Sequence, residues 1–443
     1  MSSRQNLQVT PSNHTSTGKI SYRDGNPLIQ FIIGEQDRML VGQSVRLVGK
    51  FSVFKNPGTG ATPVPVVPTI ADKLRMSEQL GIYSIIDSLT IKSQATHQVI
   101  EEIRHFPRFM GSYLPTTASL EDYSSHLGQQ VLVTPNHSAQ TRGVVSKGDG
   151  SFCIPLPCGL FNGQNPIPLM ANGAGGVGGI LVEIQLAPDS NVFFDQTGAA
   201  GSDSVKDAYY ELSTVSISCE VMTPDPSVQV PAASTFEYNS ISSYFTTFNS
   251  TNAIVNFNLG LSRVLGAFGN IISANKINNR GQNGLSNNYP CNSDAAESAA
   301  AITQLFFTRG GERFPLEYNV NTLQNSNVVI DKNSAVADPQ IVQEYMNAIT
   351  QFSKLRRTTV SPLNTEYTSS LPLTVNRKID TGSVAGVGVA YDVISGQGLD
   401  FSSVNWGLNM TCNLTTDSSQ ALYLFVHSKQ TLAFSGDGIS VIR

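Results

Sequence analysis

The sequence predicts an all-β protein made of two tandem sandwich domains, with a few short helices in the connecting loops. Three observations lead there: a strand pattern that occurs twice, a composition poor in charge, and a Pro-rich break near the middle. In the first copy of the pattern Tyr83, Ile85, Leu89 and Ile91 alternate on one face of a strand. A helical stripe at Val99, Ile100, Ile103 and Phe106 follows directly. About 170 residues later Val255, Phe257, Leu259 and Leu261 alternate, and Val264, Leu265, Phe268, Ile271 and Ile272 form the second stripe. Alternation that gives way to helical spacing predicts a strand running into a short amphipathic helix. One such unit in each half suggests two copies of one β-domain, a building block rather than a catalyst.

A chain of 443 residues is too long for one ordinary core and fits two domains of roughly 200 residues. Charged residues make up 14%, against roughly 25% in an average soluble protein. Ser, Thr, Asn, Gln and Gly fill the balance, which suits wide surfaces covered by other protein. The net charge is −5, and no basic run exceeds the pair Arg356–Arg357. Without a basic arm to neutralise phosphates, direct nucleic-acid binding is not expected. No apolar stretch approaches the roughly 18 residues of a membrane span. The start, MSSRQNLQVTPSNHTSTGK, has no apolar core; a secretory signal is not expected there, and residues 1–19 read as a flexible polar arm.

Along the chain, SVRLVGKFSVF (44–54) alternates with Val45, Leu47, Phe51 and Val53 facing one way, and the Pro/Gly-rich loop NPGTGATPVPVVP follows. GQQVLV and SFCIPLP read as strands, and GGILVEIQLA and YYELSTVSISCEVM are the strongest strand patterns of the first half. Turn-rich segments separate them. TPDPSVQVPAAST (223–235) has three prolines and almost no bulky apolar residue, so it divides the chain into domains at 20–228 and 229–443. In the second half PQIVQEYMNAITQF reads as a helix with Ile341, Tyr345, Ile349 and Phe352 on one face. The ending, QALYLFVHSKQTLAFSGDGISVIR, reads as two or three strands with a tight turn at Asp437–Gly438. Many short strands joined by long turn-rich loops indicate sandwiches, and jelly rolls are the eight-stranded form.

Several segments carry a resemblance to a known family. IYSIIDSLTIKSQATHQVIEEIRHFPRF is similar to that family's strand and short helix in the first jelly roll. FCIPLPCGLFNGQNPIPLM with GGILVEIQLA resembles its paired strands around an outward loop. YYELSTVSISCEVM resembles the closing strand of the first jelly roll, and FFTRGGERFPLEYNV a Gly-rich segment of the second. The family is the double jelly-roll major capsid proteins of icosahedral double-stranded DNA viruses. The resemblance implies two tandem eight-stranded jelly rolls and a homotrimeric capsomer of pseudo-hexagonal outline that tiles a shell. It implies neighbouring capsomers, penton proteins and minor capsid or cement proteins as partners, and an internal membrane as a possible one. It places the chain in the virion, assembled inside the host cell and not secreted. The loops near 160–178, 196–207 and 273–298 are then candidates for the outer surface or a subunit clasp. The arm at 1–18 is a candidate for a contact under the shell, so that deleting 2–18 is expected to spare the trimer and impair assembly.

The candidate chemistry is thin, and no catalytic, cofactor-binding or metal-binding residue is assigned. Gly173, Gly175 and Gly178 have G-x-G-x-x-G spacing, but a strand pattern follows where a phosphate site needs a helix, so a flexible loop is the better reading. The histidines His14, His97, His105, His126, His137 and His427 show no metal-ligand spacing; His97 and His105 fall on or beside the first predicted helix. Cys153, Cys158, Cys219, Cys291 and Cys412 are odd in number and widely spaced, which reads as buried thiols and not as a disulfide framework or a zinc site. Glu101 and Glu102 are neighbours that point apart, one solvated and one interfacial, and Asp203 and Asp207 lie in a polar loop. Sequons occur at Asn13, Asn136, Asn249, Asn409 and Asn413, and Trp406 reads as a core or interface anchor.

Expected core residues are Val45, Leu47, Ile85, Leu89, Leu181, Ile184, Val215 and Ile217 in the first half, and Val255, Phe257, Leu259, Leu424 and Val426 in the second. Two other classes stay open: a viral spike or carbohydrate-binding sandwich, which needs an exposed aromatic groove, and a β-scaffold hydrolase, which needs paired carboxylates in a cleft. The aromatics, 8% of residues, fall mostly at alternating strand positions, which favours cores.

Overall fold

A computed structural model describes residues 3–15, 18–34, 38–55, 64–65, 74–77, 80–117, 149–163, 165–169, 178–195, 208–223, 234–249, 252–273, 300–319, 339–353, 387–391, 396–414, 419–435 and 438–442. The main elements of the first half are β1 (Ser3–Val9), β2 (Leu28–Ile33), β3 (Met39–Lys55), β4 (Ile86–Ser93), β5 (Val99–Arg104), α1 (Phe106–Thr117), β6 (Asp149–Pro155), β7 (Ile180–Leu186) and β8 (Tyr209–Thr223). Those of the second half are β9 (Ser234–Phe248), β10 (Asn252–Phe257), β11 (Val264–Ser273), β12 (Ala300–Arg309), β13 (Glu312–Asn319), α2 (Pro339–Ser353), β14 (Val387–Ala390), β15 (Trp406–Leu414), β16 (Gln420–Ser435) and β17 (Gly438–Ile442).

One long sheet runs through the whole molecule in the order β14–β11–β16–β9–β5–β4–β7–β2, with β17 added on β16. Its β5–β4–β7–β2 end faces a sheet of β1, β8, β3 and β6; its other end faces β10–β15–β12–β13. Two sandwiches therefore stand side by side, each with four principal strands per sheet. In the first, alternating residues such as Val45, Leu47, Phe51 and Val53 of β3 meet Phe31, Leu89 and Ile184 from the opposite sheet. In the second, Phe307, Trp406 and Leu408 meet Val264, Leu422, Leu424 and Val426. Trp406 is fully buried, stacks on Phe307 at 5.7 Å, and donates its indole N–H to Tyr391 Oη.

The expected core residues are buried, Val255 and Phe257 only partly. Leu181 is buried, but on the face of β7 opposite to Ile180, Val182 and Ile184. The helix over 339–353 also forms, with Tyr345, Ile349 and Phe352 buried against the long sheet. At the end of the chain β16 and β17 make a hairpin in which Ser435 faces Gly438; Asp437 lies outside the described residues.

Both expected strand–helix units are corrected. Residues 99–104 are strand β5, and the helix starts only at Phe106, with Pro107 in its first turn. A bulge opposite Ile91 and Lys92 inserts one extra residue into β5, so strict alternation is lost and the spacing imitates a helix. The stripe from Val264 is strand β11, in which residues 264–270 are all buried: one side meets the facing sheet, the other meets α1 and α2. A strand covered on both faces reads as a continuous apolar run, not as an alternating one. The first copy also begins later than expected, since Gly81–Ile85 is a 3-10 turn ahead of β4.

The expected flexible arm is corrected as well. Ser3–Val9 pair antiparallel with β8 from Ser3↔Thr223 to Val9↔Ile217, and Leu7 and Val9 pack on the first core. The chain then crosses to the other sheet and covers its edge. Asn13 Nδ2 donates to Leu28 O at 2.7 Å and Asn13 Oδ1 accepts Gln30 N–H at 2.9 Å, a side-chain substitute for a neighbouring strand. The loop expected at 160–178 is partly interior too, for Leu160, Phe161, Ile167 and Leu169 are buried. The strand expected at GQQVLV and the loops at 196–207 and 274–298 lie outside the described residues.

Candidate functional site

Among the described residues the most elaborate polar arrangement lies where the two sandwiches meet. The strands touch there by a single parallel bridge, Ser242 of β9 to Glu102 of β5. Glu101 comes next on β5 and its side chain turns inward, where it is fully buried. Its Oε1 accepts the backbone N–H of Ile241 on β9 at 2.7 Å and that of Gly159 at 2.9 Å; its Oε2 accepts Leu160 N–H at 2.9 Å. The loop after β6 presents those amides because Cys158–Asn162 closes a turn, with Asn162 N–H donating to Cys158 O at 2.9 Å. One carboxylate oxygen thus bridges the two halves of the chain.

Burial pushes the Glu101 carboxyl group up to about 7, against the downward pull of its three backbone N–H donors and the Cys158 thiol. Burial and the nearby Glu101 push the Cys158 thiol well above its usual range. Glu102, by contrast, faces outward and pairs with Arg104 at 2.9 Å. The adjacent carboxylates do point apart, but as strand neighbours.

Further contacts knit the same joint. Tyr238 Oη donates to Ile100 O at 2.9 Å, and Arg104 N–H donates to Ser243 Oγ at 3.1 Å. On the other side β17 lies along the β4–β5 turn, where Thr96 Oγ1 donates to Ile439 O at 3.3 Å and Val441 N–H to Gln98 Oε1 at 3.3 Å. Helix α1 is a wedge from the first half pressed on the second. Its Phe109 ring lies 5.4 Å from Phe425, 5.9 Å from Phe352 and 6.0 Å from Phe268. Asn270 Nδ2 donates to Ser112 Oγ at 2.8 Å, and Tyr345 Oη to Ser112 O at 2.6 Å. The first hydrophobic core accordingly continues without a break into Phe268, Tyr345, Phe352 and Phe425.

The other residues singled out in the sequence do not converge. His97 lies in the turn between β4 and β5 and His105 between β5 and α1, both with positive φ (54° and 55°). His14 bonds Leu28 O at 2.8 Å. His427 is fully buried beside Phe268 and Phe352; neither ring nitrogen has a well-formed hydrogen bond, and burial drives its pKa down to about 3 against a weak upward pull from the Ala348 backbone. Cys158 and Cys219 are buried free thiols and Cys153 is half-buried. Among the described residues no group of three or more His, Cys, Asp or Glu side chains is placed to hold a metal, and no helix is long and apolar enough to cross a membrane. Gly173, Gly175, His126, His137, Asp203, Asp207, Cys291 and the sequon at Asn136 lie outside the described residues. Of the other sequons, Asn13 is engaged at the β2 edge, Asn249 is exposed, and Asn409 is half-buried opposite Ile254. Among the described residues the exposed aromatics are Tyr22 and Phe245, one in each half of the chain.

No family model and no curated protein matches the chain. Solved structures do. PBCV-1 VP54, in a crystal structure fitted into a cryo-EM reconstruction of the virophage Sputnik, has a TM-score of 0.58 at 11% identity, over 100% of this chain and 97% of its own. The Faustovirus major capsid protein has 0.57 at 8% identity, over 98% and 91%. The mavirus major capsid protein has 0.51 at 9% identity, over 99% and 90%. The chain has the double jelly-roll fold of these major capsid proteins along its whole length.

Proposed function

We propose that the chain is a major capsid protein: a structural, non-catalytic subunit whose homotrimers form pseudo-hexameric capsomers that tile an icosahedral virion shell. The observation that supports this most is the joint. Two sandwiches share one continuous sheet, an aromatic extension of the first core into the joint and a buried carboxylate bridge, so a single chain supplies two fixed, upright blocks. Three such chains would place six sandwiches around a three-fold axis, which is a pseudo-hexagonal footprint. The low charge of the chain fits flat contacts between subunits that bury few unpaired charges.

In this reading residues 229–443 are the second jelly roll, and the first, expected at 20–228, takes in β1 (Ser3–Val9) as well. The partners are further copies of the chain, penton and minor capsid or cement proteins and, where the particle encloses one, an internal membrane, with assembly inside the host cell. Light scattering on the purified protein, with negative-stain imaging of the peak, tests it. A particle of three chain masses with a hexagonal outline supports the capsomer; a stable monomer at high concentration contradicts it.

A further inference from the structure

The joint holds a carboxylic acid without a cation. Among the described residues Glu101 makes no ion pair, and the cations on its own strand β5 and on β4 are paired with other carboxylates. On β5, Glu102 pairs with Arg104 at 2.9 Å; on β4, Lys92 pairs with Glu183 at 2.6 Å; on β9, Glu237 pairs with Arg263 at 2.8 Å. Tyr238 is occupied with Ile100 O and Gln430 Oε1, and the Cys158 thiol next to Glu101 is held neutral by burial.

We propose that Glu101 is a proton-operated latch between the two sandwiches: a proton on its carboxyl group holds the joint closed, and losing that proton favours a joint opened to water. An ionised carboxylate in this site gives up hydration and recovers it only in part from three N–H donors and a thiol. The two oxygens are not equivalent. Oε1 carries the bond that links the halves, to Ile241, together with Gly159, whereas Oε2 carries only Leu160. A proton on Oε2 therefore removes the charge and leaves the cross-joint bond to Ile241 in place.

The sign follows from linkage. In the closed joint the group titrates near 7, and in an opened, solvated joint at the ordinary 4.5. Between those values the closed form holds the extra proton, so closure is fully favoured below 4.5, weakens as pH rises through 7 and levels off above it.

Two measurements on the intact chain test the latch. Infrared difference spectra between pH 5 and pH 9 are expected to show a protonated-carboxyl band that titrates near neutrality and is absent from Glu101→Gln. Hydrogen exchange at the amides of Gly159, Leu160 and Ile241, corrected for the intrinsic rate at each pH, is expected to be roughly tenfold slower at pH 6 than at pH 8.5. The wild-type exchange decides even if the Gln variant does not fold. Equal protection at both pH values, or stronger protection at pH 8.5, overturns the latch. So does a carboxyl band that titrates wholly in the ordinary range. Both readouts use the unassembled protein and are independent of whether it builds a shell.

Discussion

Gly159 lies against the carbonyl of Asn239 so closely that a Cβ on Gly159 would stand 1.6 Å from that oxygen and 2.7 Å from Glu101 Oε1. No side chain fits; the loop or β9 has to move, and Ile241 leaves Glu101 when it does. Gly159→Ala is expected to destabilise the protein by about 3 kcal/mol or more in denaturant unfolding. Gly163→Ala, four residues on, meets only ordinary contacts beyond 3.4 Å and is expected to stay within about 0.5 kcal/mol.

The two adjacent carboxylates should behave in opposite ways. Glu101→Ala strands three buried N–H groups, each worth about 1–3 kcal/mol, and is expected to lower stability by about 3 kcal/mol or more. Glu102→Ala removes a partly exposed ion pair with Arg104 and is expected to change stability by less than about 1 kcal/mol. Equal effects in equilibrium unfolding would contradict the assignment of the joint.

Phe109 links the halves through three rings. Phe109→Ala is expected to cost about 3–5 kcal/mol. In a double-mutant cycle with Phe352→Ala the two losses should not add, because the rings share one cavity. Additive losses would mean that α1 does not pack on α2 in solution.

His427 sets an acid limit. Its pKa is near 3 in the fold, while the unfolded chain titrates near 6.5, so its contribution is intact above 6.5 and is lost as pH falls toward 3. The slope is about 1.4 kcal/mol per pH unit. Glu101 acts with the opposite sign between 7 and 4.5, so the two partly offset one another in the wild type. His427→Phe should remove the destabilising slope and raise stability at pH 5 relative to pH 7. A pH profile that matches the wild type would show that His427 is not buried neutral.

Deleting residues 2–18 removes β1 and the Asn13 clamp. It exposes the edges of β8 and β2 and takes Leu7 and Val9 from the first core. Thermal unfolding should therefore detect the loss in the subunit itself, before any effect on assembly. An unchanged Tm would restore residues 1–19 as a free arm.

Much of the fold could be read from residue pattern. Strands β3, β7 and β8 alternate over most of their length because one side of each is largely buried and the other is not. β11 was misread because it is covered on both faces, and β5 because a bulge shifts its phase. β1 looked like a loose arm because Leu7 and Val9 are its sole core contacts in a polar run. The joint was largely illegible. The partners of Glu101 are backbone amides, which no residue type marks, and nothing in the sequence sets Gly159 apart from the other loop glycines. The one available signal was the pair Glu101–Glu102 set between Ile100 and Ile103.

The most direct test of the account is a cryo-EM reconstruction of the purified assembly at a resolution that separates strands. The account predicts three chains around a three-fold axis and six upright sandwiches in a ring. Each chain should supply two neighbouring sandwiches, joined by continuous density from β9 across Glu101 to β5. Sandwiches that lie apart within one chain, or an assembly without six of them in a ring, would contradict it.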